Sequence, residues 1–175
     1  MDNPSKKIYL IGFMGSGKTT LGKKLALQLG WTFIDLDKVI ENRTGLKITE
    51  IFSSRGETFF RSAESDALRS LEGGQRIVVS TGGGTPCSDN NMNFMNETGL
   101  TIYLKLSPEK LYSRLAASTG GRPLLKDIAA DELFDFIVKK LSEREKCYSK
   151  ASWTINGESD SISGLVTQVK NWIQE

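Results

Sequence analysis

Short apolar runs alternate along this chain with longer segments whose apolar residues recur at helical spacing. Five runs rich in apolar and β-branched residues predict strands, at 8–11, 31–34, 76–80, 101–106 and 153–155. Helical spacing predicts helices at 21–29, 57–71, 133–147 and 162–173, and a Ser-Pro pair at 107–108 begins one more. Because strand and helix alternate about five times, we expect an α/β fold with a parallel sheet and helices on both faces.

The predicted sheet also indicates where a ligand binds. In open α/β sheets, ligands bind beyond the carboxyl ends of the strands, so the loops that follow the first three strands are the candidates. The chain shows no internal repeat and no linker, and its 175 residues suit one hydrophobic core. We therefore expect a single domain over residues 1–175 with one site.

The residue inventory excludes several kinds of catalytic site. The chain has no histidine, so a Ser-His-Asp triad, a Cys-His pair and an HExxH zinc site are impossible. Its two cysteines, Cys87 and Cys147, are too few for a disulfide framework or a four-thiolate metal site, and no role is assigned to them. The chemistry must use carboxylates, cations, hydroxyls, backbone amides or a metal held by oxygen.

Charge and hydropathy limit the partners. Lys and Arg number 23 against 21 Asp and Glu, and this net charge of +2 argues against a broad nucleic-acid-binding face. No segment approaches the roughly 20 apolar residues of a membrane span, and the apolar run at 8–14 is too short for a signal peptide. We expect a cytoplasmic protein that binds neither nucleic acid nor membrane.

The strongest motif is GFMGSGKT at 12–19, a full GxxxxGK[ST] match placed between a predicted strand and a predicted helix. Glycines let successive backbone N–H groups turn toward phosphate oxygens, and the following helix adds its positive N-terminal end. Lys18 can reach the β- and γ-phosphates of a nucleotide, and the Thr19 hydroxyl can ligate Mg²⁺. The alternative is a mere turn between strand and helix.

Two absences narrow the class of nucleotide-binding protein. The third predicted strand ends in Ser80 and Thr81 without the acidic residue of a Walker B strand, and no NKxD guanine-reading motif occurs. A chain of 175 residues leaves little room for the partner domain of a helicase or a motor. A small-molecule kinase is favoured.

Two carboxylates, Asp35 and Asp37, lie two residues apart at the end of the second predicted strand. One could hold Mg²⁺ through water, while the other accepts a hydrogen bond, or a proton, from an alcohol that receives a phosphoryl group. The alternative is that Asp37 simply caps a helix that begins near residue 38.

Several further residues have two interpretations each. Arg61 and Glu64 form an exposed intrahelical ion pair, or Glu64 orients the guanidinium toward an anionic substrate. The glycines at 82–84 serve a tight turn, or close approach of backbone amides to a ligand. Arg122 lies in a Gly- and Pro-flanked loop and either reaches the phosphates from a lid or is solvated, while Arg144 belongs to a charge run typical of an exposed helix face.

Taken together, these residues resemble the shikimate kinase family over nearly the whole chain. The resemblance depends on the phosphate-binding loop, Asp35-x-Asp37, the FRxxE motif at 60–64, the glycines at 82–84, RPLL at 122–125 and an Arg-x-x-x-Tyr at 144–148. It implies a single-domain P-loop kinase fold similar to that of nucleoside monophosphate kinases, with a five-stranded parallel sheet and a mobile lid at about 114–127. It also implies transfer of the γ-phosphoryl group of ATP to the 3-hydroxyl of shikimate, with Mg²⁺ as cofactor. We expect the protein to be a monomer.

The resemblance assigns roles by position. Lys18, Asp37 and Arg122 are the implied catalytic residues, Thr19 is the implied Mg²⁺ ligand, and Asp35 contacts the metal through water. The implied ATP-binding residues are Gly15, Ser16, Gly17, Lys18, Thr19, Thr20 and Arg122. The implied shikimate-binding residues are Asp37, Arg61, Gly82, Gly83, Gly84 and Arg144.

This chain departs from the family pattern at Lys146, where members usually have proline, and in a lid less basic than many between Arg114 and Arg122. Two other functions stay open at this point. One is a P-loop kinase for another small polyol acid, such as a gluconate-like substrate, and the other is a non-catalytic or GTPase-like nucleotide-binding module.

Overall fold

The computed structural model describes residues 6–73, 76–118 and 123–174. Within these ranges, five parallel strands form one sheet in the order β2-β3-β1-β4-β5. The strands are β1 Lys7–Ile11, β2 Thr32–Asp35, β3 Ile77–Ser80, β4 Leu100–Lys105 and β5 Trp153–Asn156. The helices are α1 Lys18–Leu29, α2 Leu36–Thr44, α3 Ile48–Arg69, α4 Asn91–Thr98, α5 Pro108–Ala116, α6 Leu133–Tyr148 and α7 Ile162–Gln174. The predicted five-stranded parallel sheet is confirmed.

Both faces of the sheet are covered, and alternate residues of β1 show how. Ile8 and Leu10 pack with buried residues of α1 and α7, whereas Tyr9 and Ile11 pack with residues of α2, α3 and α4 on the opposite face. All four side chains are fully buried. A strand buried on both faces needs an unbroken apolar run, which is the pattern that predicted this strand.

The carboxyl ends of β1, β2 and β3 meet at one edge of the sheet. Ser80 at the end of β3 pairs with Asp35 on one side and with Leu10 on the other. The loops that follow these three strands therefore lie together at the switch point of the strand order, where the sequence placed the ligand site.

Three differences from the sequence-based prediction have a clear physical cause. β2 starts one residue late because the N–H of Trp31 bonds to the carbonyl of Ala26 and closes α1 instead. α3 begins at Ile48 rather than near residue 57, and Gly56, with a φ of 80°, kinks it. α4 was missed because its sequence, NMNFMNET, is mostly polar and buries few apolar side chains. No helix among the described residues has the length and apolar composition needed to cross a bilayer.

Candidate active site

The loop between β1 and α1 is built for close contact of its backbone. Gly15 and Gly17 have φ values of 80° and 100°, in the left-handed region that side chains rarely tolerate. A β-carbon at Gly12 would lie 2.8 Å from the carbonyl oxygen of Leu104. The first turn of α1 contains no acidic residue, and Gly17 supplies no side-chain cap. The helix therefore offers its N-terminal amides to an anion.

Lys18 folds back across this loop. Its Nζ donates to the carbonyls of Gly12 and Phe13 at 2.9 and 2.8 Å, and the residue is buried. The ammonium is therefore held against the phosphate-binding loop, where a lysine that contacts nucleotide phosphates is needed.

Thr19, Asp35 and Ser80 bring three oxygens together beside the loop. The Thr19 hydroxyl donates to Asp35 Oδ2 at 3.3 Å and lies 3.3 Å from Ser80 Oγ. β3 has no terminal acid, so the carboxylate at this point comes from the neighbouring strand β2. An oxygen-only set with few protein ligands suits Mg²⁺, which usually keeps several waters and binds substrate phosphates. Among the described residues, no group of three or more His, Cys, Asp or Glu side chains is placed to hold a metal.

The two carboxylates of the Asp35-x-Asp37 motif have different surroundings. Asp35 Oδ1 accepts the backbone N–H of Asp37 at 3.1 Å and caps α2, so the alternative that Asp37 is the cap is wrong. Asp37 Oδ1 is buried and has no hydrogen-bond partner among the described residues. Burial, followed by the nearby charges of Asp35 and Glu64, raises the pKa of Asp37 to about 6 against the opposing effect of Lys18.

Arg61 and Glu64 form an ion pair whose carboxylate is buried. Arg61 Nη1 lies 2.5 Å from Glu64 Oε2, and the Glu64 side chain is only 1% exposed. Arg61 also bonds to Glu57 at 2.9 Å, and its own side chain is 18% exposed. The interpretation as a solvated helix pair is therefore wrong, because a buried carboxylate fixes this guanidinium.

The three glycines at 82–84 are required by proximity rather than by backbone conformation. None of them has a positive φ. A β-carbon at Gly82 would collide with Glu64 Oε1, one at Gly83 would lie 3.2 Å from Arg144 Nη1, and one at Gly84 would collide with the Arg61 guanidinium. The loop is thus pressed against both arginines.

Arg144 is buried although the charge run around it is mostly exposed. Its guanidinium lies 5.5 Å from the ring centroid of Phe13, and its Nη1 is buried without a hydrogen-bond partner among the described residues. One turn later, the Tyr148 hydroxyl donates to the carbonyl of Gly83 at 2.5 Å. The expectation of a solvated helix face is wrong at Arg144.

One cavity of about 470 Å³ gathers nearly all of the predicted site residues. They are Gly15, Gly17, Lys18, Thr19, Thr20, Asp35, Asp37, Arg61, Gly82, Gly83, Gly84 and Arg144. Ser16 belongs to the phosphate-binding loop but lines an adjacent cavity instead. Arg122 lies outside the described residues, as does the centre of the predicted lid.

The adjacent cavity was not found from the sequence. It measures about 290 Å³ and is lined by Gly17, Thr20, Arg114 and the Asn156-Gly157 pair after β5. Arg114 Nη1 donates to the carbonyl of Ser16 at 2.8 Å, which ties α5 to the phosphate-binding loop. An Asn-Gly pair at the carboxyl end of the fifth strand was the signal available for this cavity.

Comparison with known proteins identifies the family. A model of the family described as shikimate kinase matches residues 14–174. The chain belongs to the shikimate kinase family. The shikimate kinase of Parabacteroides distasonis is 43% identical over 166 residues, which covers 95% of this chain and 96% of the relative.

Solved shikimate kinases have the same fold. The crystal structure of shikimate kinase from Bacteroides thetaiotaomicron superimposes with a TM-score of 0.87 and 40% identity, covering 97% of this chain and 99% of that one. The Acinetobacter baumannii shikimate kinase, solved in complex with shikimate, gives a TM-score of 0.83 and 32% identity, covering 98% of this chain and 94% of that one. The resemblance inferred from the sequence motifs and the assignment as a kinase are confirmed.

Proposed function

We propose that this protein transfers the γ-phosphoryl group of ATP to the 3-hydroxyl of shikimate, giving shikimate 3-phosphate and ADP. The main support for the proposal is a pair of buried side-chain atoms that have no hydrogen-bond partner among the described residues and that belong to residues lining one cavity. Asp37 Oδ1 offers an acceptor and Arg144 Nη1 offers a cationic donor. Shikimate carries hydroxyls for the first and a carboxylate for the second.

The phosphate-binding loop supplies the ATP side of the site. Its backbone amides and Lys18 would surround the β- and γ-phosphates, with Thr19 and Thr20 at the start of α1. The adjacent cavity at Arg114 and Asn156 shares Gly17 and Thr20 with the main one, so it is the place for the nucleoside.

The acceptor side combines two cations with one carboxylate. Arg61 and Arg144 would hold the shikimate carboxylate, since both guanidinium groups border the glycine loop at 82–84. Because the glycines lack side chains, the backbone of the loop can approach both guanidinium groups closely. Asp37 would accept the hydrogen bond of the 3-hydroxyl, or its proton. A base with a pKa near 6 is close to the working pH, as general-base catalysis requires.

The oxygen set at Thr19 and Asp35 fits a magnesium ion, with Thr19 as the protein ligand and Asp35 reaching the ion through water. Bound Mg²⁺ would neutralise charge on the phosphate oxygens. Arg122 is proposed to stabilise the transferred phosphoryl group. Most of the catalysis then comes from positioning and charge stabilisation, with in-line attack by the 3-hydroxyl. A monomeric state and a cytoplasmic location stay predictions.

Identification of the product tests the proposed reaction. The protein is incubated with shikimate, ATP and Mg²⁺, and the product is examined by phosphorus and proton NMR. We expect one new phosphate monoester coupled to the proton on carbon 3, formed in equal amount to ADP. ADP formation without a phosphorylated shikimate, or phosphate on another hydroxyl, would overturn the proposal.

A further inference from the structure

A buried hydroxyl outside the substrate cavity connects two parts of the acceptor site. Thr85, which follows the glycine loop, is fully buried, and its Oγ1 donates to Glu64 Oε1 at 2.5 Å. The other oxygen of this carboxylate, Oε2, is bound by Arg61. Each oxygen of the buried Glu64 carboxylate therefore has one hydrogen-bond partner among the described residues.

We propose that Thr85 is a positioning residue for acceptor binding: its hydroxyl fixes the Glu64 carboxylate, which in turn fixes the guanidinium of Arg61. This inference rests on the proposed function, because it assumes that Arg61 holds the acid group of the acceptor.

A carboxylate buried in protein is costly unless hydrogen bonds replace its water. If the Thr85 hydroxyl were absent, Glu64 Oε1 would lose the one donor that it has within the described residues. Glu64 would then be free to turn away from its present position, and this would weaken its hold on Arg61. The space around Gly82 is filled by Glu64 Oε1 and Thr85 Oγ1, so a replacement water has little room.

Thr85 is itself held at a second point. Its carbonyl accepts the side-chain amide of Asn91 at 2.9 Å, and Asn91 is fully buried. The same amide donates to Ser65 at 3.1 Å, and Asn91 Oδ1 accepts from Arg69 at 2.9 Å. Thr85 is thus attached to α3 both through its hydroxyl and through its carbonyl. This double attachment holds the hydroxyl in place and links the glycine loop to the helix that carries Arg61.

Two substitutions at Thr85 separate the effect of the hydroxyl group from the effect of the side-chain shape. Thr85→Val replaces the hydroxyl by a methyl group of similar size, whereas Thr85→Ser keeps the donor. We expect Thr85→Val to raise the KM for shikimate roughly tenfold, with the KM for ATP changed less than about twofold. Thr85→Ser is expected to stay near the wild-type KM. Thr85→Ala provides the same test if the valine variant does not fold.

Thr101→Val is the matched control. Thr101 is a fully buried threonine of β4 and does not line the cavity. Its hydroxyl donates to Asn96 Oδ1 at 2.6 Å. It makes the same chemical change outside the site and is expected to lower the melting temperature without changing the KM for shikimate.

A double-mutant cycle tests whether Thr85 acts through Arg61. In an Arg61→Ala background, Thr85→Val is expected to change the KM for shikimate by less than about twofold, because the group that it positions is gone. A change as large as in the wild type, an equal effect on both substrates, or a serine variant as weak as valine would overturn the inference. If the wild type phosphorylates shikimate and the Thr85→Val variant has the same KM for shikimate, only the role of Thr85 is overturned. A wild type without shikimate-dependent turnover overturns the proposed function and this inference together.

Discussion

Asp35 accepts the backbone N–H of Asp37 through Oδ1 at 3.1 Å, and this single contact separates the roles of the two carboxylates. Asp35 is occupied as the cap of α2 and, through Oδ2, as the partner of Thr19. Asp37 is in the first turn of the same helix, and its buried Oδ1 has no partner among the described residues. One aspartate therefore completes the protein's own structure, and the other keeps a buried oxygen without a partner among the described residues.

Asp37→Asn is expected to lower kcat by roughly 100-fold or more and to stabilise the protein at neutral pH. The pKa of Asp37 is raised from 3.8 to about 6 in the folded state. Between about pH 4 and 6, Asp37 is therefore protonated in the folded state and ionised in the unfolded state. Above about pH 6 it is ionised in both states, and the buried charge lowers the free energy of unfolding by its full amount. At pH 7.5 the variant should gain on the order of 2 kcal/mol in the free energy of unfolding, and near pH 4 the gain should vanish.

Urea unfolding of wild type and variant at both pH values measures this difference. Asp66→Asn, an exposed aspartate on α3, is the control and should change neither stability nor kcat. A variant that is destabilised at pH 7.5, or equally stabilised at both pH values, would contradict the assignment. In the wild type, kcat/KM for shikimate should fall as the pH drops below about 6, because the Asp37 carboxylate becomes protonated.

Arg61→Ala is expected to raise the KM for shikimate by roughly 100-fold, because a charge-assisted contact to the substrate carboxylate is removed. The Kd for ATP should change less than about twofold. Titration calorimetry with each ligand separates the two effects. Arg55→Ala removes an exposed guanidinium from the same helix and should leave both affinities unchanged. Equal weakening of ATP and shikimate would rule out the proposed carboxylate contact.

Lys18→Ala is expected to lower kcat at least about 1,000-fold, since a preorganised cation at the transferred phosphoryl group is lost. Lys24→Ala, an exposed lysine on α1, is the matched control and should keep wild-type turnover. Steady-state kinetics at saturating ATP gives both values. Retention of most of the activity by the Lys18 variant would refute the phosphate-site assignment.

Gly84→Ala is expected to raise the KM for shikimate roughly tenfold, since a β-carbon there would push the Arg61 guanidinium aside. Backbone conformation is not the cause, because Gly84 has a φ of −95° that alanine adopts readily. Gly73→Ala is the control, since a β-carbon at Gly73 meets no atom within 4 Å. A Gly84 variant with unchanged affinity for shikimate would show that the loop tolerates the displacement.

The positions of the five strands along the chain and the phosphate-binding loop could be predicted because both depend on local patterns. The apolar run before Gly12 and the glycines that follow it specify a buried strand and a tight turn within a dozen residues. The short helix α4, by contrast, has only Met92 and Met95 as buried apolar side chains in a polar segment. Such a helix is held by its neighbours rather than by its own pattern.

The surroundings of individual charges could not be predicted. The spacing of Arg61 and Glu64 is the same for an exposed pair as for one whose carboxylate is buried under the glycine loop. Arg144 lies in a segment that any local rule would place in solvent, yet it is buried with Tyr148 one turn away. Burial is set by contacts between elements distant in the chain, and only the family resemblance favoured a substrate-binding role over an exposed position for these arginines.

The most direct test of the central claim is ATP turnover measured against a set of acceptors. ADP release is coupled to NADH oxidation with shikimate, gluconate or no acceptor, at fixed Mg²⁺ and ATP. We predict turnover that depends on shikimate and saturates with it, with gluconate no better than the blank. A faster rate with gluconate, or an ADP release that is the same with and without an acceptor, would contradict the account.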